Sequence, residues 1–117
     1  MATSGVPVLL LNATANSTGA RAKCSVNYGF GEVPQACANF YVDVSTTGAP
    51  TAWTITLTGG INEQGAGTAF SATITQGSAA GPIALTHAVP VTWWSATLSA
   101  LAGGTAPSVR VVGVSAS

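Results

Sequence analysis

The sequence predicts an all-β protein, a two-layer antiparallel β-sandwich or jelly roll of about eight short strands. Three observations carry that expectation. Helical periodicity is almost absent, because charged helix formers are missing and Gly, Thr, Ser, Val and Ala dominate. Short stretches alternate between apolar and polar residues. Turn residues interrupt these stretches at regular intervals, as Gly-rich and Pro-containing clusters.

Strands are expected near residues 6–11, 24–30, 37–45, 51–59, 68–76, 83–89, 93–99 and 108–115. Alternation is clearest in "TAWTITLT". There Trp53, Ile55 and Leu57 point to one face, and Thr54, Thr56 and Thr58 to the other. The apolar set belongs to a core. The threonines suit a pleated outer face, where β-branched side chains pair across strands. "ANFYVDV" repeats the pattern, with Phe40, Val42 and Val44 inward and Asn39, Tyr41 and Asp43 outward. In "TAFSATIT" the inward residues are Phe70, Ala72 and Ile74. In "WWSATLS", Trp94, Ala96 and Leu98 form the inner set, and Trp93, Ser95 and Thr97 the outer. Turns are expected at Thr46 to Pro50, Gly59 to Gly65, Gly77 to Pro82 and Gly103 to Pro107.

The chain of 117 residues has room for one domain. Residues 24–117 are expected to form the sandwich. Residues 1–23 supply an N-terminal strand followed by "NATANSTGARAK", which has no pattern and reads as a loop or as an arm crossing to another subunit.

Only 5% of residues are charged, against about 25% in an average domain, while the hydrophobic share of 47% is ordinary. Arg21, Lys23, Arg110, Glu32, Asp43 and Glu63 sum to zero. Nucleic acid is therefore a poor partner, since phosphate binding needs clustered Lys and Arg. A charged membrane surface is equally unsuitable. A chain with near-zero net charge tends to associate. A surface of Ala, Ser, Thr and Gly suits packing against neighbours, although a secreted Ser/Thr/Gly-rich β-domain has the same composition. The longest apolar run, Val6 to Leu11, is far short of the roughly 20 residues of a membrane span and lacks the basic flank of a signal peptide. The expectation is a chain that folds in the cytoplasm of its producer.

Candidates for chemistry are few. His87 has no second His or Cys nearby in sequence, so it makes a poor metal site and reads as structural. No nucleophile elbow and no phosphate-binding Gly loop is present. No cofactor or metal is expected, and the protein is expected not to be an enzyme. Cys24 and Cys37 are spaced for neighbouring strands of one hairpin. A disulfide is allowed if their Cα atoms lie within about 7 Å, whereas two reduced, partly buried thiols are the default in a cytoplasmic chain. Trp93 and Tyr41 are the outward aromatics. They can stack on a sugar, as in a carbohydrate-binding sandwich, or fill a contact between subunits, where Trp and Tyr are enriched. In the last strand Val109, Val111 and Gly113 can face the core. Val112 and Val114 can face another subunit or a second sheet.

Residues 48–70, "GAPTAWTITLTGGINEQGAGTAF", and 93–117, "WWSATLSALAGGTAPSVRVVGVSAS", resemble a group of small virion proteins of tailed bacteriophages. In that group a Thr/Val-rich strand pair precedes a strand of the form R-Y-V-R-A-x-L-x-A-L-x-G-G-T-x-P-x-V. The matching positions are Ala96, Leu98, Ala100, Leu101, Gly103, Gly104, Thr105, Pro107 and Val109. Where the group has Arg-Tyr-Val-Arg, this chain has Val91-Thr92-Trp93-Trp94, which removes two charges. The Cys24 to Cys37 segment has no counterpart. The resemblance implies a non-enzymatic β-sandwich of a virion assembled in the host cytoplasm. Its first form is a capsid decoration (minor capsid) protein that binds the major capsid protein and self-associates. Its second form is a tail tube or tail tip protein.

Overall fold

A computed structural model of the chain describes residues 5–65, 68, 70–78 and 82–117. Among them the strands are β1 (Val8–Ala13), β2 (Ser17–Thr18), β3 (Ala22–Lys23), β4 (Ser25–Asn27), β5 (Glu32–Pro34), β6 (Cys37–Thr47), β7 (Ala52–Gly60), β8 (Phe70–Thr75), β9 (Ile83–Val91), β10 (Trp93–Ala102) and β11 (Ser108–Ala116). A single 3₁₀ turn, Gln76–Ser78, follows β8.

The strands form two packed antiparallel sheets, so the all-β sandwich holds. The first sheet runs β1-β11-β6-β9. The second runs β2-β10-β7-β8, with β3 also on β10. A separate hairpin joins β4 to β5. The alternation read from the sequence gives both inner faces. Phe40 and Val42 of β6 and Val109 and Val111 of β11 meet Trp53, Ile55 and Leu57 of β7 and Trp94, Ala96 and Leu98 of β10. The Phe40 ring stacks on Phe70 at 5.1 Å and tilts against Trp94 at 4.8 Å. Trp94 reaches so close to β11 that a Cβ on Gly113 would lie 2.3 Å from the indole edge. Gly113 is thus required by packing, not by a turn.

Residues 5–23 lie along the sandwich itself. β1 pairs with β11, from Val8 opposite Gly113 to Ala13 opposite Val109. Thr18 and Ser17 pair with Thr97 and Leu98 of β10, and Ala22 and Lys23 pair with Trp94 and Trp93. Much of the "NATANSTGARAK" segment therefore closes on this chain's own strands.

The strand expected at 24–30 is corrected. It stops at Asn27, and Glu32 lies opposite Asn27 on the returning strand. Gly29 and Gly31 have φ of 97° and 112°, which carry the chain through a turn that L side chains disfavour. The Asn27 side chain accepts a hydrogen bond from the Gly29 N–H at 2.7 Å. The expected turn over Gly59 to Gly65 also begins later, because Gly59 and Gly60 still belong to β7. Part of the expected turn from Gly77 to Pro82 lies outside the described residues.

Candidate functional site

Three of the candidate contact residues come together on the outer face of the first sheet. Val112 lies opposite Asp43 and Val114 opposite Tyr41 in the β11–β6 register. On the other side of β11, Leu9 lies opposite Val112. Beyond Tyr41 the row continues to Ala84 of β9. Tyr41 is 48% exposed and Leu9 54%, while Val112 and Val114 are half-buried. The result is a connected apolar patch with Asp43 and Arg110 as its charges. Leu9 was not singled out from the sequence. Its apolar run reads as a core strand, and a bulge between Leu9 and Leu11 lets Leu10 and Leu11 both turn inward while Leu9 stays out.

Trp93 is the exception and corrects the expectation of an exposed ring. It stands on the outer face of the second sheet, yet it is only 2% exposed. The Arg21 guanidinium lies 3.9 Å from the ring centroid. Trp93 Nε1 donates to the Asn62 carbonyl at 3.1 Å. Arg21 is in turn fixed by donating to the Glu63 and Gly65 carbonyls at 3.0 and 2.7 Å. The loop after β7 and Arg21, the residue just before β3, therefore form a lid over the indole. A sugar could stack on Trp93 only if that lid moved.

The rest of the second outer face is hydroxyl-rich. Thr58 faces Ser95 with their hydroxyls 3.1 Å apart, and Thr18 faces Thr97 at 3.0 Å. These are neutral, water-compatible side chains in cross-strand pairs.

The cysteines lie at the root of the β4–β5 hairpin as two free, buried thiols, with no disulfide between them. Burial pushes the Cys24 thiol up to about 12, with further upward contributions from Cys37 and Glu63. Burial also raises Cys37, partly offset by a hydrogen bond from Ser115. Nucleophilic and metal-binding cysteines need the thiolate, which these surroundings disfavour. The nearby cleft of about 270 Å³, lined by Lys23, Cys24, Pro34, Gln35, Glu63 and Thr92, contains a Lys23–Glu63 ion pair at 3.8 Å. His87 packs against Phe70 at 5.4 Å and accepts the Val89 N–H at 3.1 Å through Nδ1. Asp43 is exposed on the opposite, outer face of that sheet. Among the described residues, no group of three or more His, Cys, Asp or Glu is placed to hold a metal ion.

The cysteine spacing anticipated the β4–β5 hairpin, but not its anchored root or its exposed aromatic tip. Its root is anchored: Ser115 Oγ accepts from the Ser25 N–H and donates to the Ser25 carbonyl, each at 3.0 Å. Its tip carries Phe30, which is 96% exposed, between the two left-handed glycines. The signal was the "YGFG" string, since Gly on both sides of an aromatic interrupts a strand.

No family model matches the sequence, and no curated protein matches it. Among solved structures, the chain is similar in fold to the SPBc2 prophage-derived protein YomS. The TM-score is 0.62 and the identity 15%, over 100% of this chain and 96% of that one. The two chains share one β-sandwich architecture over nearly their whole lengths.

Proposed function

We propose that this chain is a non-enzymatic structural protein of a tailed-phage virion, and within the virion a capsid decoration protein that binds and stabilises the head shell. The observation that carries the phage reading is the end-to-end likeness to a prophage-derived protein. The motif resemblance in the second half of the chain points the same way.

The outer face of the first sheet supports the decoration role. Tyr41, Leu9, Val112 and Val114 offer a rigid apolar patch with one acidic and one basic residue beside it. Tyr is enriched at interface centres, and charge is depleted there. Few charges mean little desolvation cost when the face is covered. A shell repeats its binding sites by symmetry, so modest contacts add through multivalency when copies are linked.

The test is quantitative mass spectrometry on purified particles, with heads separated from tails. Decoration predicts the chain in the head fraction at a ratio near that of the major capsid protein. Abundance confined to tails would replace the decoration role with a tail-tube role, and a trace in tails would indicate a tail tip. Absence from heads and tails alike would overturn the virion reading.

A further inference from the structure

The β4–β5 hairpin and a groove beside β1 are complementary parts of one molecule that do not meet within it. The hairpin ends in Phe30, 96% exposed, with Tyr28 and Val33 also exposed beside it. Its single charge is Glu32, one of whose oxygens (Oε2) accepts the Val6 N–H at 2.8 Å. The groove has a volume of about 310 Å³ and is lined by residues 9–12 and 17–20; Leu10 and Leu11 are themselves buried, so Leu9 is its exposed apolar side chain. No charged residue lines it. That volume is at the lower end of the roughly 300–1,000 Å³ typical of ligand pockets, enough for one aromatic ring and little more.

The charge at the groove's rim is of the opposite sign. Asn12 lines the groove, and Arg110 lies directly opposite Asn12 across the β1–β11 register. Among the described residues, Arg110 makes no ion pair. Asp43 shares its sheet face, but no contact within 4.0 Å joins the two. The other cations are engaged: Lys23 with Glu63, and Arg21 with two carbonyls and the Trp93 ring.

We propose that the Phe30 hairpin of one copy seats in the Leu9–Leu11 groove of a second copy of this chain, with Glu32 meeting Arg110 at the rim. The occupant is a second copy because knob, hole and both charges of the pair are present in one sequence of zero net charge. A contact between two different patches is heterologous. It leaves a free hairpin at one end and a free groove at the other, so it propagates into a ring or a chain. The anchored root supports this role. Ser25, Cys24 and Val26 are buried while the tip stands free, so little ordering is needed on binding. The groove shares Leu9, and its rim shares Arg110, with the outer-face patch, so a seated hairpin covers part of that patch; self-association is read without heads, which keeps this contact and the virion reading separately testable.

Sedimentation velocity on the purified full chain, over a concentration series, tests it. The wild-type chain is expected to form concentration-dependent oligomers. Phe30→Ser should weaken the association roughly tenfold to a hundredfold, as removal of a central aromatic anchor does. Circular dichroism should be unchanged, since the ring has no partner within the domain. Glu32→Arg and Arg110→Glu should each weaken assembly, and the double variant should restore it. An equimolar mixture of Phe30→Ser and Leu9→Glu chains should stop at a heterodimer, because one intact hairpin and one intact groove remain. A wild-type chain that stays monomeric throughout would overturn the proposal. So would a Phe30→Ser chain that assembles as tightly as wild type, a charge swap that fails to restore assembly, or a mixture that yields no heterodimer. Monomers in solution together with abundance in heads would refute this contact and leave the virion reading intact.

Discussion

On the outer face of the second sheet, Thr54, Thr56 and Thr58 of β7 stand between Ser99, Thr97 and Ser95 of β10 and Thr75, Thr73 and Ser71 of β8. On the outer face of the first, Val112 and Val114 of β11 stand between Leu9 of β1 and Asp43 and Tyr41 of β6. Both faces come from strands of the same period, and both back onto one core. They differ in what the chain does with their large apolar side chains. The second face has one, Trp93, and the chain covers it with Arg21 and the loop at residues 61–65. The first face keeps Leu9 and Tyr41 about half exposed. Under the decoration role proposed above, the open face is the one that docks, because it is the one whose large apolar side chains the chain leaves uncovered.

The sharpest way to break this comparison is to remove the sealed ring. Trp93→Ala should cost about 3–5 kcal/mol, the usual range for deleting a buried Trp or Phe side chain. Urea denaturation would measure it. A loss below about 1 kcal/mol would mean that the lid is loose and that the two faces are alike. The matching change on the open face has the reverse profile. Tyr41→Ala should leave stability within about 0.5 kcal/mol, as for most surface substitutions. It should weaken binding to isolated heads by about 2 kcal/mol, as loss of an interface anchor does. Wild-type affinity in that variant would move the docking site off this face.

A smaller change tests the lid. Arg21→Ala removes the cation over Trp93 and both carbonyl contacts, and should cost roughly 1–2 kcal/mol. Arg21→Lys keeps the charge but loses the planar fork, so most of that loss should remain. If Lys restored full stability, charge alone would hold the loop. Tryptophan fluorescence should shift to the red in Arg21→Ala as water reaches the indole.

How far the sequence foretold these faces depends on the residue. Period 2 assigned Trp53, Ile55, Leu57, Phe40 and Trp94 to the core, because burial on one side of a sheet forces that alternation. It also placed Tyr41, Val112 and Val114 outward. Alternation says which side of a sheet a residue takes, and nothing of whether another segment later covers it. Trp93 is outward by that rule and buried by a contact with Arg21, 72 positions away in the chain. Leu9 escaped notice for a related reason: a bulge breaks the alternation of β1, and its apolar run hides the residue that points out. The hairpin tip was legible in "YGFG", but the flanking apolar residues favoured one continuous strand. Its rooting on Ser115 joins positions 90 residues apart, which no local pattern signals.

The smallest expected effect comes from the hydroxyl rows, and it bears most directly on why the faces differ. Thr56 pairs with Thr97 on one side and Thr73 on the other. Thr56→Val with Thr73→Val keeps the β-branched shape that suits a strand and exchanges two partly solvated hydroxyls for methyl groups. Folding stability should change by no more than about 0.5 kcal/mol, because such hydroxyls trade protein contacts for water at nearly equal free energy. Solubility should fall, since the second face would then resemble the first, and a chain with zero net charge has no repulsion to keep copies apart. Light scattering during concentration would show it. If the double variant stayed as soluble as wild type, the threonines would be there for strand formation alone. If it associated at unchanged stability, the threonines are what keeps the second face out of contact.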